Sequence, residues 1–125
     1  MEFFETVSWN VDPAGLAEAL SLKRLPEICS DIYEILEIDG EFGRLACVWG
    51  TFDVRRSVIC CGVRFELTSC PCAMQWTATV HPTETDHVVC HCTIDSPNLD
   101  PEFIQSLENF LRRFAEGISH PRRAP

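Results

Sequence analysis

Several common signals are missing from this sequence of 125 residues. It has one lysine, Lys23, and no apolar run near the roughly 20 residues that cross a bilayer. Its first residues lack the basic and apolar regions of a secretory signal. Nucleic-acid binding is disfavoured, because phosphate recognition needs clustered lysine and arginine. We therefore expect a cytoplasmic protein with neither nucleic acid nor membrane as a partner.

Motifs that mark common enzyme classes are missing as well. The chain has no glycine-rich phosphate loop, no Gly-x-Ser-x-Gly elbow and no His-Glu-x-x-His motif. A cysteine and a histidine could be paired as nucleophile and base, but any eight cysteines and four histidines would offer such a pair. We therefore expect a non-enzymatic protein. A small enzyme with a pocket between helices and sheet stays as an alternative, since fold does not fix function.

Cysteines, in contrast, are abundant and mostly clustered. No two are spaced as Cys-x-x-Cys, the arrangement of many zinc and thiol-redox sites. Cys60 and Cys61 lie in a run that reads as a strand, so their side chains are expected on opposite faces, without a chelate or a disulfide. A chain of this length can form a core without disulfides. We expect eight free thiols, and four of them are expected to fill the core: Cys47, Cys61, Cys90 and Cys92.

One set of cysteines and histidine could still bind metal. Cys70 and Cys72 flank Pro71 in a predicted turn and are expected to be the most exposed thiols. With His87 and Cys90 they form the best zinc-ligand set that the sequence offers. The strand pattern argues against this set, because it directs Cys90 into the core and His87 to the opposite side. We expect no cofactor, and a zinc site or a redox-partner role of Cys70 and Cys72 stays as an alternative.

Helices are predicted near both ends of the chain. Asp12 before a proline favours a helix start, and the apolar spacing that follows predicts a helix to about Leu25. Asp100 repeats this arrangement before an apolar stripe with helical period. The second helix is expected to end near Gly117 and Pro121.

Between the helices, apolar and polar residues alternate with the period of β-strands. The runs 74–80 and 88–94 are predicted to pair as a hairpin that places Ala78 opposite Cys90 and keeps every apolar side chain on one face. A further strand is predicted over 61–67.

The remaining segments complete the predicted fold. Residues 44–54 are apolar on both faces, which is typical of a central strand or of a strand covered on both faces. Residues 3–11 are expected to add another strand, and residues 26–38 fit a helix and a strand about equally well. The expected fold is a two-layer α+β domain over residues 1–119, with an antiparallel sheet of five or six strands and both helices on one face. Residues 120–125 are expected to form a flexible tail.

The polar residues of these strands are predicted to form a broad sheet face opposite the helices. Short polar side chains with few charges suit a shallow binding surface or a two-fold symmetric interface, so we expect a homodimer. The residues of this predicted face are Arg64, Gln75, Thr77, Thr79, His91 and Thr93.

The net charge of −9 is unevenly distributed. Residues 1–53 have 11 acidic and 3 basic side chains, whereas residues 54–125 have 8 and 7. The acidic segment 27–41 could attract a basic protein partner. The leading interpretation is a cytoplasmic, non-enzymatic binding or assembly protein that acts through the polar sheet face and the acidic N-terminal half.

Overall fold

The computed structural model describes residues 1–96 and 100–120 and has the predicted α+β class. Seven strands and three α-helices lie within these residues. The strands are β1 (Glu2–Ser8), β2 (Ile32–Asp39), β3 (Phe42–Cys47), β4 (Gly50–Ile59), β5 (Gly62–Leu67), β6 (Gln75–Thr79) and β7 (His87–Thr93). The helices are α1 (Pro13–Ala19), α2 (Leu25–Ile28) and α3 (Pro101–Ser119), with a 3₁₀ turn at Leu22–Arg24.

The seven strands form one antiparallel sheet in the order β1-β7-β6-β5-β4-β3-β2. The chain starts at one edge in β1, crosses through α1 and α2 to the other edge, and returns by successive hairpins until β7 pairs with β1. Helix α3 then packs against β1 and β7, and α1 against β5 and β6. The sheet therefore has one face covered by helices and one face free of them.

The predicted hairpin register is confirmed. Trp76 lies opposite Cys92 and Ala78 lies opposite Cys90, and all four side chains are buried. The segment 3–11 also contains a strand, since β1 alternates between partly buried and exposed residues. Alternation specifies register here because a slip by one residue would turn every apolar side chain toward solvent.

The sheet has seven strands, not five or six, because the segment 44–54 contains a turn. Strand β3 ends at Cys47, and β4 begins at Gly50, whose φ of 129° lies in a region that side chains rarely adopt. Trp49 in this turn packs against α3, where its Nε1 donates to Ser106 Oγ at 3.0 Å. The apolar residues of segment 44–54 therefore belong to two strands and the turn between them, and not to one strand with two apolar faces. The ambiguous segment 26–38 contains the end of α2 followed by β2.

The N-terminal helix is shorter than predicted. Asp12 caps it as expected, with Oδ1 accepting from the Gly15 N–H at 2.7 Å, but α1 ends at Ala19. Arg56 on β4 reaches this end and donates from Nε to the Leu20 carbonyl at 2.7 Å and from Nη2 to the Ala17 carbonyl. These carbonyls are therefore satisfied by a side chain of the sheet instead of a further helical turn.

Aromatic rings fill the space between the sheet and α3. The ring centroids of Trp76 and Phe110 are 5.1 Å apart, those of Trp76 and Phe65 are 5.3 Å apart, and those of Trp49 and Phe110 are 5.2 Å apart. Trp76, Phe65 and Phe110 are at most 1% exposed. Trp76 and the buried cysteines of β7 therefore belong to one core cluster under the C-terminal helix.

Helix α3 does not end at Gly117. A Cβ built there would lie 1.6 Å from the carbonyl oxygen of Ile28, so the glycine allows α3 to pass α2 closely. The helix continues to Ser119. Of the predicted tail, His120 follows the helix, and residues 121–125 lie outside the described residues.

Candidate functional site

The structure brings all six predicted face residues onto the uncovered side of the sheet. Thr77 on β6 lies opposite both Arg64 on β5 and His91 on β7. Two residues along the same strands, Gln75 lies opposite Thr93. Each of the six residues is partly buried by its neighbours. We call this surface the outer face, defined by Arg64, Gln75, Thr77, Thr79, His91 and Thr93.

The outer face continues onto β1 through an aromatic residue that the sequence analysis missed. Phe4 lies opposite His91, and the two rings stack with centroids 4.3 Å apart and an interplanar angle of 6°. Phe4 is 62% exposed, and His91 Nε2 lies 3.0 Å from Glu2 Oε1. Because Phe3 and Phe4 are adjacent, the sequence does not show which of the two rings faces outward. The pairing of β1 with β7 identifies Phe4 as the outward residue.

Ion pairs occupy one side of the outer face. Glu66 Oε1 lies 2.6 Å from Arg55 Nη2 and 3.2 Å from Arg64 Nε. One carboxylate therefore lies between two guanidinium groups, which offsets part of their positive charge. The side chains of Thr77, Thr79 and Thr93 are themselves short and uncharged, with Arg64 opposite Thr77 and Glu2 opposite Thr93.

The candidate zinc ligands are not brought together. His87 begins β7, whereas Cys72 lies beyond the other end of that strand, where its carbonyl accepts from the Asp95 N–H at 2.8 Å. The two ends of this seven-residue strand are six steps of about 3.3 Å apart, or about 20 Å. Cys90 faces the core, and burial raises the pKa of its thiol to about 12. In the part of the chain that the structure describes, no three Cys, His, Asp or Glu side chains form a metal-binding group.

The cysteines differ strongly in exposure. Cys47, Cys90 and Cys92 are buried as predicted. Cys29, which was not among the predicted core cysteines, is buried as well. Burial raises the pKa of Cys29 and of Cys92 to about 12 and also raises the pKa of Cys47. The expected exposure of Cys70 and Cys72 is wrong, because both are half-buried and pack against the core. The expected burial of Cys61 is also wrong, because it is partly exposed, and its neighbour Cys60 is exposed.

Most acidic residues of segment 27–41 already have cationic partners. Asp31 Oδ1 lies 2.8 Å from Arg113 Nη1, and Glu41 Oε2 lies 2.7 Å from Arg56 Nη1. Looser pairs join Glu27 to Arg24 and Glu37 to Arg44, each at 3.7 Å. Within residues 1–96 and 100–120, Glu34 and Asp39 have no such ion pair. The acidic segment is therefore less available to a partner than its charge suggests.

No helix within the described residues is long and apolar enough to cross a membrane. All eight cysteines are free thiols in the structure.

The arrangement of sheet and helices is similar to that of several solved structures. A START superfamily protein from Mycobacterium smegmatis matches with a TM-score of 0.67 at 13% identity, over 94% of each chain. An uncharacterized protein from Bacillus thuringiensis matches with a TM-score of 0.64 at 14% identity, over 94% of this chain and 98% of the other. The protein XoxI from Bacillus cereus matches with a TM-score of 0.61 at 15% identity, over 94% of each chain.

These similarities establish a shared fold over nearly the whole described chain. The sequence itself matches no family model and no curated protein sequence. The seven-stranded antiparallel sheet with a long C-terminal helix on one face is therefore an arrangement that this chain shares with these structures, and the function has to be argued from the residues.

Proposed function

We propose that the protein is a non-enzymatic binding and assembly protein that forms a homodimer through the outer face. The observation that carries this proposal is the exposed Phe4 ring, stacked on His91 directly beside Thr77. Aromatic residues are enriched in protein interfaces, where exposed apolar area becomes buried. The threonines next to this pair are short and uncharged, so a second molecule can approach the sheet closely.

A two-fold axis through the outer face would place the same surface of each copy in contact. This isologous arrangement is the commonest form of homo-oligomer. The Phe4 and His91 rings of one copy would then cover the threonines of the other. The ion-paired group of Arg55, Arg64 and Glu66 lies beside this centre and is suited to the polar rim of an interface.

The test replaces Thr77 with arginine. Two added cations near the axis would repel each other and the adjacent Arg64, so T77R is expected to be a monomer in sedimentation equilibrium at concentrations where the wild type is a dimer. Within one molecule, the new arginine would also lie across from Arg64. This like-charge pair is expected to lower the free energy of unfolding by less than about 1 kcal/mol. Circular dichroism should therefore be unchanged. The matched control is Gln105→Arg on the exposed side of α3, which should leave the dimer intact. A monomeric wild type, or a dimeric T77R protein, would contradict the proposal.

Binding of a basic partner through the acidic segment is a weaker part of the same proposal. Glu34 and Asp39 lie on the edge strand β2, whose Tyr33, Leu36 and Ile38 are large and exposed. An edge strand with these side chains offers backbone groups, apolar surface and negative charge to a basic extended segment. An arginine-rich peptide should therefore bind in a salt-dependent manner, and E34Q/D39N should weaken it more than the control E27Q. Equal effects of the two variants would refute this part.

A second candidate function is the binding of a small apolar ligand between α3 and the sheet. The observation that favours it is Nε1 of Trp76, which is buried and has no hydrogen-bond partner among the residues that the structure describes. A buried donor without an acceptor is unfavourable by about 1–3 kcal/mol, and a ligand oxygen could satisfy it. The START superfamily neighbour shares this layer arrangement. The interior is filled by rings, so a ligand would have to displace Phe110 or Phe114.

This second candidate is tested with 1-anilinonaphthalene-8-sulfonate as the probe. Saturable binding that is weakened at least tenfold in W76F would support it, because phenylalanine keeps an apolar ring and removes the N–H donor. The matched control is Trp49→Phe, because the Nε1 of Trp49 already has a partner in Ser106. An absence of saturable binding to the wild type would exclude the candidate.

A further inference from the structure

Cys60 and Cys61 form a two-residue turn between β4 and β5, closed by the pairing of Ile59 with Gly62. Their Sγ atoms are 3.4 Å apart. The expectation that these side chains lie on opposite faces is wrong, because Cys61 has a φ of 73° and the alternation of an extended strand is lost there. A non-glycine residue in this left-handed region is uncommon. The turn therefore presents two adjacent sulfur atoms on the same side.

The two thiols are accessible to solvent and hydrogen-bonded to each other. Cys60 is exposed and Cys61 is partly exposed. The hydrogen bond with Cys60 is the main cause that raises the pKa of Cys61, with burial adding less. One thiol proton is shared between the two sulfur atoms in this hydrogen bond. A group that bonds to both sulfurs has to displace this proton, as thiolate ligands require.

The geometry suits an atom between the sulfurs better than a direct disulfide. Neighbouring Cα atoms across a trans peptide bond are about 3.8 Å apart, whereas disulfides usually need about 4.4–6.8 Å. Two thiolates on a tetrahedral zinc ion, with bonds of about 2.3 Å, have a sulfur separation of about 3.8 Å. The observed 3.4 Å is close to that value. Little movement of the turn is needed for both sulfurs to bond to one acceptor atom.

The surroundings favour an acceptor that needs only two protein ligands. Zinc usually takes four ligands at structural sites, and the described residues around this turn form no group of three metal-ligating side chains. Cys61 also lines a surface pocket of about 390 Å³ with His81, Glu84 and His87. A trivalent metalloid with one organic substituent bonds to two sulfurs and can place that substituent in the pocket.

We propose that the Cys60–Cys61 turn is a dithiol binding site for thiophilic trivalent metalloids of the arsenic(III) type. In the reaction with an organoarsenic oxide, two As–S bonds form and the As=O bond breaks. The two thiol protons leave with that oxygen as water, and no atom changes its oxidation state. Thr79 of the outer face also lines this pocket, but the two sulfur ligands lie in the turn, and neither Thr77 nor His91 takes part in the reaction.

The experiment treats the purified, reduced protein with one equivalent of phenylarsine oxide. Intact mass and a thiol count should show one phenylarsenic unit bound and two thiols lost, with an adduct that resists excess 2-mercaptoethanol and is released by 2,3-dimercaptopropanol. Chelation by two sulfurs on one turn explains this resistance, since the second bond is intramolecular.

Variants locate the adduct. C60S and C60S/C61S are each expected to form at least tenfold less of the monothiol-resistant adduct, whereas C70S/C72S, which removes the half-buried pair Cys70 and Cys72, should retain it. Circular dichroism should be unchanged in C60S, because Cys60 is exposed. Full adduct formation by C60S/C61S, or its loss in C70S/C72S, would overturn the proposal. So would freshly isolated protein in which Cys60 and Cys61 are already joined as a disulfide.

Discussion

Replacing Gly117 with alanine is expected to destabilise the protein, although the same change in an ordinary helix stabilises it. In a helix interior, glycine is about 0.8–1.0 kcal/mol less favourable than alanine. At position 117, however, the added Cβ would lie 1.6 Å from the carbonyl oxygen and 2.7 Å from the carbonyl carbon of Ile28. Both atoms belong to the backbone, so no side-chain rotation can relieve the contact.

The magnitude follows from these opposing effects. Overpacking usually costs about 1–3 kcal/mol, and a backbone contact this close requires α3 to move away from α2. A 1.6 Å contact with a backbone atom corresponds to the upper part of that range, about 2–3 kcal/mol. After the gain in helix propensity of about 1 kcal/mol, G117A should lower the free energy of unfolding by about 1–2 kcal/mol, or more if the helix cannot shift. Urea unfolding followed by circular dichroism measures this change.

A neighbouring position provides the control. Glu116 is exposed on the same turn of α3, so E116A should change stability by no more than about 0.5 kcal/mol. If G117A is as stable as the wild type, or more stable, then α3 does not approach α2 as described and the argument for this glycine is refuted.

Two further predictions concern the core. Phe110→Ala should destabilise by about 3–5 kcal/mol through the cavity left among Trp49, Trp76 and Phe114; a loss below about 1 kcal/mol in urea unfolding would contradict this packing. Stability should also fall between about pH 9 and pH 12, because burial raises the folded pKa of Cys90 and Cys92 from 9.0 to about 12. The stabilisation of these neutral thiols is complete below pH 9 and is lost as the unfolded chain ionises. A urea midpoint that stays constant to pH 10.5 would refute this, and C60S, which removes an exposed thiol, should leave the slope unchanged.

The parts of the fold predicted from the sequence are those specified by repeated patterns. The register of β6 with β7 depends on four apolar residues that agree with one another, and a one-residue slip would expose all of them. Helix α3 has a capping aspartate, whose Oδ1 accepts from the Glu102 N–H at 3.0 Å, and a long apolar stripe. Such signals are redundant, so a single misleading residue does not change the prediction.

The parts that were missed depend on the conformation of single residues. The turn between β3 and β4 contains Val48 and Trp49, which are not typical turn residues, and only Gly50 marks its position. Cys61 adopts a positive φ that cysteine rarely shows, so the sulfur pair was not predictable from strand alternation. Gly117 reads as a helix end, whereas its role depends on a contact with Ile28, far away in sequence. Backbone conformation decided the first two cases, and a tertiary contact decided the third.

The outer face was predicted as a set of residues, but its proposed use depends on Phe4, which only the sheet topology brings beside His91. Strand β6 places the two candidate functions one residue apart, because Trp76 points into the aromatic core and Thr77 points to the outer face. Variants at these neighbouring positions therefore separate the hypotheses. T77R should abolish the dimer without changing probe binding, and W76F should weaken probe binding without changing the dimer. A variant that alters both properties would show that dimerisation and the interior are coupled through β6, and the two functions would then have to be treated as one.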